Sequence, residues 1–197
     1  MTAKDLAKPA GSVVKNSRDN ETFTLLDPDF IDAYKKMKRG AQVMSLKDLG
    51  VIVAFTGLGP DSIVVEAGAG SGASACFLAR HAKKVYSYDV EEKNLEIAKK
   101  NAADLAIENI EFSLQDIYEN IPIKDADMVL LDVTTPWEAV KNSYDALKIG
   151  GFLVAYSPCI TQTQEFVNTV LEHDGFMVVK NIDLLERKWD VSGKKVR

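Results

Sequence analysis

Residues 63–73 read Ile-Val-Val-Glu-Ala-Gly-Ala-Gly-Ser-Gly-Ala, and this stretch decides the fold. Its first four residues are typical of a buried strand, and the residues from Ala73 onward are typical of a helix. The three glycines between them, Gly68, Gly70 and Gly72, suit a sharp turn at which a ligand approaches the backbone closely. Unpaired N–H groups at the start of the helix favour an anionic group. The stretch therefore predicts a nucleotide-type cofactor resting on a strand-to-helix turn.

Strands and helices alternate after this turn. Further strands are predicted at residues 84–89, 110–114, 128–131, 152–156 and 176–184, and helices at residues 73–81, 93–104, 136–147 and 163–173. Such alternation is typical of an α/β fold with a parallel, doubly wound sheet.

The residues before the turn have a different pattern. Residues 12–26 suggest a short hairpin, and helices are predicted at residues 30–38 and 46–55. We therefore divide the chain into a short N-terminal extension, residues 1–40, partly without regular structure, and a cofactor-binding domain, residues 41–197.

The composition is that of a soluble globular protein, because 46% of the 197 residues are hydrophobic and 27% are charged. The net charge of −5 argues against a protein that binds nucleic acid over its whole surface. It does not argue against local binding by the basic clusters at residues 35–39 and 187–197. No apolar run approaches the roughly 20 residues that span a bilayer, and no signal peptide is recognisable. Two cysteines and two histidines lack metal-ligand spacing. We expect a cytoplasmic protein with no membrane association and no metal.

The glycine pattern alone leaves two cofactors open, because residues 68–73 also match the dinucleotide fingerprint of NAD enzymes. An acidic residue ends each of four predicted strands, namely Glu66, Asp89, Asp116 and Asp132. Asp89 suits ribose hydroxyls in either cofactor, and Asp116 suits the exocyclic amine of an adenine. The carboxylate of Glu66 would repel a pyrophosphate but suits the ammonium and sulfonium groups of S-adenosyl-L-methionine. The four acids together favour S-adenosylmethionine.

The glycine turn and its acids resemble those of class I S-adenosylmethionine-dependent methyltransferases, whose Glu-x-Gly-x-Gly-x-Gly motif stands here as residues 66–72. The resemblance covers about residues 42–191 and implies a Rossmann-like sheet flanked by helices. It also implies a set of cofactor-binding residues: Gln42, Glu66, Gly68, Gly70, Ser71, Gly72, Asp89, Val90, Gln115, Asp116, Ile117 and Asp132.

Four other stretches resemble the tRNA (adenine-N1)-methyltransferases, which form 1-methyladenosine in the T-loop. Residues 132–137, Asp-Val-Thr-Thr-Pro-Trp, resemble the Asp-Leu-Pro-x-Pro-Trp motif of that family, and segments 38–42, 156–162 and 187–189 resemble three more of its motifs. This resemblance implies that Asp132 is catalytic. It implies substrate contacts from a further set of residues: Gln42, Pro136, Trp137, Tyr156, Gln162 and Arg187.

The chemistry is consistent with this role for Asp132. Methylation of adenine N1 leaves positive charge over N1 and N6, and a carboxylate near the N6 amine would orient the base and stabilise that charge. The target nucleotide must leave its stack and enter a pocket, while the basic clusters contact phosphate. We therefore predict tRNA as a partner, and the resemblance implies a homo-oligomer, specifically a tetramer.

The sequence departs from this family at three points. Thr134 replaces the first proline of the Asp-Leu-Pro-x-Pro-Trp motif, the N-terminal region is shorter, and no seventh strand is recognisable after residues 176–184. Three alternatives stay open: a small-molecule methyltransferase similar to those of corrin biosynthesis, which lack the Pro-Trp pair, a non-catalytic tRNA-binding partner subunit, and, as the least favoured, an NAD dehydrogenase.

Overall fold

The computed structural model describes residues 3–16, 18, 21–40, 42–193 and 195–196. It divides into two compact units, residues 1–37 and residues 38–197. This division lies three residues before the boundary predicted after residue 40. The assignment of the second unit as a cofactor-binding domain stays a prediction.

The first unit contains two short helices and a hairpin. Its elements are α1 (Ala3–Leu6), β1 (Val13–Lys15), β2 (Thr22–Thr24) and α2 (Phe30–Lys35). The two strands pair antiparallel where the hairpin is predicted, although Asp19 and Asn20 of the predicted turn lie outside the described residues. Helix α2 begins at a capping box in which Asp29 and Asp32 each accept the other's backbone N–H.

The second unit contains the sheet and its helices. The elements are α3 (Leu46–Thr56), β3 (Ile63–Ala67), α4 (Ala73–Ala79), β4 (Lys84–Asp89), α5 (Glu92–Asp104), β5 (Ile110–Leu114), β6 (Ala126–Leu131), a 3₁₀ turn (Pro136–Ala139), α6 (Val140–Ala146), β7 (Leu147–Ala155), α7 (Ile160–Leu171) and the small hairpin of β8 (Val191–Ser192) and β9 (Lys195–Val196). In the described ranges, no helix has both the length and the apolar character that crossing a membrane requires.

The five central strands form a parallel sheet in the order β5-β4-β3-β6-β7. Both faces are covered, because Val64 and Val65 are each fully buried but belong to separate apolar clusters. Val64 packs in the cluster that contains Leu49 of α3 and Leu78 of α4, and Val65 in the cluster that contains Ala146 of α6. The Rossmann-like α/β fold is thereby confirmed. Strands β4 and β5 are added on one side of β3, and β6 and β7 on the other side. In sheets of this type, a crevice opens at the carboxyl ends of the two strands where the side changes, here β3 and β6.

The prediction of a strand at residues 176–184 is wrong. Residues 176–190 have no regular secondary structure, and Met177 and Val179 are 80% and 69% exposed. Alternating apolar residues indicate which side chains share a face, but a strand forms only where its backbone groups pair with a neighbour. In this structure β7 forms the edge of the sheet, with β6 as its partner, and the hairpin β8–β9 pairs only with itself.

A buried amide ties the start of the second unit to the glycine turn. Asn101 of α5 is 3% exposed and accepts the N–H of Lys38 at 3.1 Å. Its amide group donates to the carbonyl oxygens of Lys38 at 2.8 Å and Ser71 at 2.9 Å. Both amide protons and the amide oxygen of this buried side chain are therefore hydrogen-bonded, and together they fix two distant segments.

We expect Asn101→Ala to lower the free energy of unfolding by about 2 kcal/mol, because it removes three hydrogen bonds and leaves the backbone groups of Lys38 and Ser71 without these partners. Urea denaturation monitored by circular dichroism measures the change. The matched control is Asn168→Ala on the exposed face of α7, and equal stabilities of the two variants would contradict the role of Asn101.

Candidate active site

A cavity of about 390 Å³ opens at the carboxyl ends of β3, β4 and β6. Of the residues predicted to bind cofactor or substrate, seven line it: Gln42, Gly68, Gly70, Ser71, Asp89, Asp132 and Gln162. Residues from four predicted motifs, far apart in sequence, therefore share one site.

The glycine turn forms the floor of this cavity. Gly68 has a φ of +89°, and a Cβ atom there would lie 2.0 Å from the carbonyl oxygen of Asp132. Gly72 has a φ of +76° and lies against α5, so that its Cβ would be 2.9 Å from the Cβ of Ala98. The N–H groups of Gly68 and Ala69 both donate to the carbonyl of Tyr88 at 3.0 Å. The turn therefore requires glycine for its conformation and for the close approach of β6 and α5.

Asp89, at the end of β4, holds the turn closed. One oxygen accepts the Gly70 N–H at 2.8 Å and the other accepts the Glu91 N–H at 2.9 Å. The amide of Asn94 lies 3.2 Å from both oxygens. Asn94 also lines the cavity. The sequence does not indicate this position, because a single asparagine in the first turn of a helix has no pattern that distinguishes it from other polar surface residues.

Glu66 lies beneath the turn and not in the cavity lining. It is fully buried, and its two carboxylate oxygens accept the hydroxyl protons of Ser74 and Ser87. Burial raises its pKa to about 7, and the nearby charges of Asp132 and Asp89 act in the same direction, although the two hydroxyl donors oppose this shift. Because both carboxylate oxygens are bonded to neighbouring serines, these contacts support a role for Glu66 in ordering the loop above it.

Asp132 follows the last residue of β6 and faces the cavity. Its backbone N–H donates to the carbonyl of Ala67 at 2.9 Å, which continues the pairing of β3 with β6. Burial raises the pKa of its carboxyl to about 6. Among the described residues, no side chain or backbone donor bonds to this carboxylate. Asp132 is therefore an available acceptor at neutral pH.

Four predicted cofactor residues lie beyond the cavity lining, after β4 and β5. Val90 is 62% exposed and Ile117 is buried in the core. Asp116 accepts the backbone N–H of Tyr118 at 2.9 Å, and the amide of Gln115 donates to the carbonyl of Asp116 at 3.2 Å. Their contact with a cofactor stays a prediction.

The predicted substrate residues are only partly brought together. Pro136 is buried and Trp137 half-buried in the 3₁₀ turn that follows Asp132. The hydroxyl of Tyr156 donates to Asp48 of α3 at 3.1 Å instead of facing the cavity lining. Arg187 lies in the exposed segment 176–190, where its guanidinium carbon is 5.4 Å from the ring centre of Trp189. The structure does not place Arg187 at the cavity.

The geometry and sequence together define a class of protein. A parallel sheet of this order, with a glycine turn at the switch point and acids at the strand ends, is that of the class I S-adenosylmethionine-dependent methyltransferases. The chain belongs to the family described as "tRNA methyltransferase complex GCD14 subunit", whose model matches residues 34–197.

Individual relatives agree with this family. The TrmI tRNA (adenine(57)-N(1)/adenine(58)-N(1))-methyltransferase of Methanocaldococcus jannaschii is 32% identical, over 92% of this chain and 74% of its own length. The TrmI tRNA (adenine(58)-N(1))-methyltransferase of Thermus thermophilus is 34% identical, over 92% and 72%. A SAM-dependent O-methyltransferase of known structure from Thermotoga maritima has a TM-score of 0.90 at 27% identity, covering 98% of this chain and 74% of that one. The predicted family and methyltransferase activity are confirmed.

We expect Gly68→Ala to abolish binding of S-adenosylmethionine, because the added methyl group would overlap the backbone of Asp132 and separate β3 from β6. Isothermal titration calorimetry measures the binding. Gly50→Ala in α3 is the matched control, since no atom lies within 4 Å of its added Cβ and alanine favours a helix. Binding by Gly68→Ala with the affinity of the control would contradict the close approach.

We also expect stability to depend on the protonation of Glu66. Its pKa is raised from 4.5 to about 7 on folding, so the folded chain binds this proton more tightly than the unfolded chain. The contribution of Glu66 to the free energy of unfolding therefore falls as the pH rises from 4.5 to 7, by about 3 kcal/mol.

Urea denaturation at pH 5 and pH 8 measures this dependence. Glu66→Gln should show a smaller loss of stability between the two pH values than the wild-type protein, because its amide does not ionise. Glu108→Gln, on the exposed surface after α5, should behave as the wild type. An unchanged loss in Glu66→Gln would rule out Glu66 as the titrating group.

Proposed function

We propose that this chain transfers the methyl group of S-adenosylmethionine to N1 of an adenine in the T-loop of tRNA. The observation on which this rests is the carboxylate of Asp132, which has no hydrogen-bond donor in the described part of the chain and faces the cavity directly beside the glycine turn. A methyl acceptor held by Asp132 would lie next to any cofactor that rests on that turn.

The charges of the cavity suit this cofactor. S-adenosylmethionine supplies an electrophilic methyl group on a positively charged sulfonium. Asp89 and Asp132 line the cavity, and Glu66 lies buried beneath it. Three carboxyl groups at one site favour a cation and disfavour the pyrophosphate of NAD. Asp89 retains acceptor capacity for ribose hydroxyls beside its bonds to Gly70 and Glu91.

Asp132 would act on the base. At neutral pH its carboxyl is mostly ionised, because its raised pKa is still only about 6. The N6 amine donates a hydrogen bond to the ionised carboxylate, which fixes the base and stabilises the positive charge that develops as N1 is methylated. Transfer of that N6 proton to Asp132 would restore a neutral base.

The surroundings of the cavity suit an extruded nucleotide. Gln42 lines the cavity and offers an amide group for a base edge. Gln162 also lines the cavity, but its amide nitrogen donates to the carbonyl of Thr134. Lys38 and Arg39 are exposed and precede Gln42 closely, so a phosphate could meet basic side chains close to the cavity. Three other predicted substrate residues, Tyr156, Trp137 and Arg187, do not line the cavity, and their contact with a base stays a prediction.

The assembly and compartment belong to the same proposal. We propose a cytoplasmic homo-oligomer, a tetramer by the family resemblance, and size-exclusion chromatography with light scattering measures the subunit number. A non-catalytic partner subunit is the weaker alternative, because Asp89 and Asp132 both stand at the cavity.

A second candidate function follows from one of the relatives. The Thermotoga structure is described as an O-methyltransferase, so a hydroxyl of a small molecule is the competing acceptor class. The product distinguishes the adenine of tRNA from a hydroxyl acceptor and from a corrin-type small molecule. Only the leading proposal predicts methylated RNA.

The test uses purified protein, methyl-labelled S-adenosylmethionine and unmodified tRNA transcripts. We expect label in RNA, with 1-methyladenosine identified by mass spectrometry, and none when the T-loop adenine is replaced by guanine. Asp132→Ala should lower kcat by on the order of 10²- to 10³-fold with cofactor binding largely retained, whereas Asp61→Ala, on an exposed turn, should not. Cofactor binding without label in RNA would reject tRNA as the substrate.

The pH dependence provides a separate prediction. Because a protonated Asp132 cannot accept the N6 amine, kcat/KM of the wild type should rise as the pH increases through about 6. Steady-state assays between pH 5 and 8 measure this. Asp132→Asn should have low activity without this rise, and a wild-type profile that is flat over this range would contradict the role of Asp132 as an ionised acceptor.

A further inference from the structure

The backbone that follows Asp132 depends on side chains from other elements. We call residues 132–136, which connect β6 to the 3₁₀ turn, the acceptor loop. Its first residue pairs with Ala67, and the carbonyl of Thr135 accepts the N–H of Glu138. Between these two points Val133 and Thr134 have no backbone partner within the loop among the described residues. Val133 is partly buried against the apolar cluster on its side of the sheet, whereas Thr134 is exposed, so the backbone at Thr134 depends on contacts from other elements.

Gln162 of α7 holds the middle of the loop from one side. Its amide nitrogen donates to the carbonyl oxygen of Thr134 at 3.0 Å. A carbonyl oxygen only accepts, so the amide has one acceptable orientation, with its oxygen turned away from Thr134. Helix α7 is twelve residues long and starts two residues before Gln162, which gives the contact a rigid base.

Tyr118 holds the next residue from the other side. The backbone N–H and the hydroxyl of Thr135 donate to the hydroxyl oxygen of Tyr118 at 3.2 and 3.0 Å. Tyr118 is itself fixed, because the amide of Asn142 in α6 donates to its carbonyl at 2.8 Å and to that of Ile117 at 2.9 Å. Its N–H donates to Asp116. The ring thus links the segment after β5 to the acceptor loop.

The contact made by Gln162 has a cost. Its amide oxygen is buried and has no hydrogen-bond donor among the described residues. A buried acceptor without a partner destabilises the folded state. An apolar side chain of similar length would avoid this penalty, which offsets the stability that the hydrogen bond to Thr134 contributes.

We propose that Gln162 and Tyr118 are positioning residues that hold the acceptor loop in the shape that presents Asp132 to the methyl acceptor. Both act through the backbone of Thr134 and Thr135, and Tyr118 does not line the cavity. Loss of either contact lets the loop relax and moves the carboxylate of Asp132 away from its productive position. This inference rests on the methyl transfer proposed above and adds the residues that make its geometry precise.

Two variants remove the contacts with little change in shape. Gln162→Met deletes the amide, and Tyr118→Phe deletes the hydroxyl. We expect each to lower kcat for tRNA methylation by on the order of ten- to a hundredfold, because displacement by about 1 Å is enough for such losses. The dissociation constant of S-adenosylmethionine should stay within about twofold of the wild type, since Gly70 and Asp89 are untouched.

The melting temperature separates positioning from a structural role. Gln162→Met should melt at or above the wild-type temperature, because it removes a buried acceptor that has no partner. Matched controls are Gln164→Met on the exposed face of α7 and Tyr86→Phe in β4, and both should retain the wild-type kcat. The double variant Gln162→Met/Tyr118→Phe should lose less than the product of the single losses, because both contacts restrain the same loop.

Several outcomes would overturn the proposal. The proposal fails if Tyr118→Phe retains the wild-type kcat. It also fails if either variant loses cofactor affinity to the same extent as kcat, or if its loss of kcat is accompanied by a lower melting temperature. A base contact by Gln162 alone would leave Tyr118→Phe fully active. If the wild-type protein itself puts no label into tRNA, the proposed function fails first, which distinguishes the two failures.

Discussion

The contact between Gly68 and the carbonyl of Asp132 is the constraint on which the site depends. The ends of β3 and β6 approach so closely that a methyl group at position 68 would lie 2.0 Å from a backbone oxygen. This approach joins the turn at which we propose a cofactor to the residue at which we propose a methyl acceptor. Backbone packing therefore sets these two proposed positions side by side.

Burial of acids is the second property of this region. Glu66 and Asp132 both have raised pKa values because burial disfavours their charged forms. The hydroxyl groups of Ser74 and Ser87 donate to Glu66 and partly offset the effect of burial on its pKa. Asp132 has no such donor among the described residues. A cationic ligand would favour ionisation of both carboxyl groups. A sulfonium at this site would therefore offset the electrostatic cost of burying the two carboxylates.

Local patterns predicted some features well. The glycines and the acids at strand ends follow from turn geometry and strand alternation, which neighbouring residues encode. Tyr118 and Asn101 were missed because their partners lie 17 and 63 residues away in sequence, where no local pattern reports them. The strand predicted at residues 176–184 is wrong for the same reason, since pairing with a neighbour is not a local property. Glu66 was identified correctly as an acid beside the turn, but only packing decides that it faces Ser74 and Ser87.

The bond from the Gly70 N–H to Asp89 has a consequence for binding thermodynamics. This bond fixes the turn, and Asn94 and Glu91 fix Asp89 in its place. A ligand that enters the cavity therefore meets a preorganised surface and does not have to pay the conformational entropy of ordering a glycine-rich loop. Most of the binding energy that the ligand gains at this turn remains available as affinity.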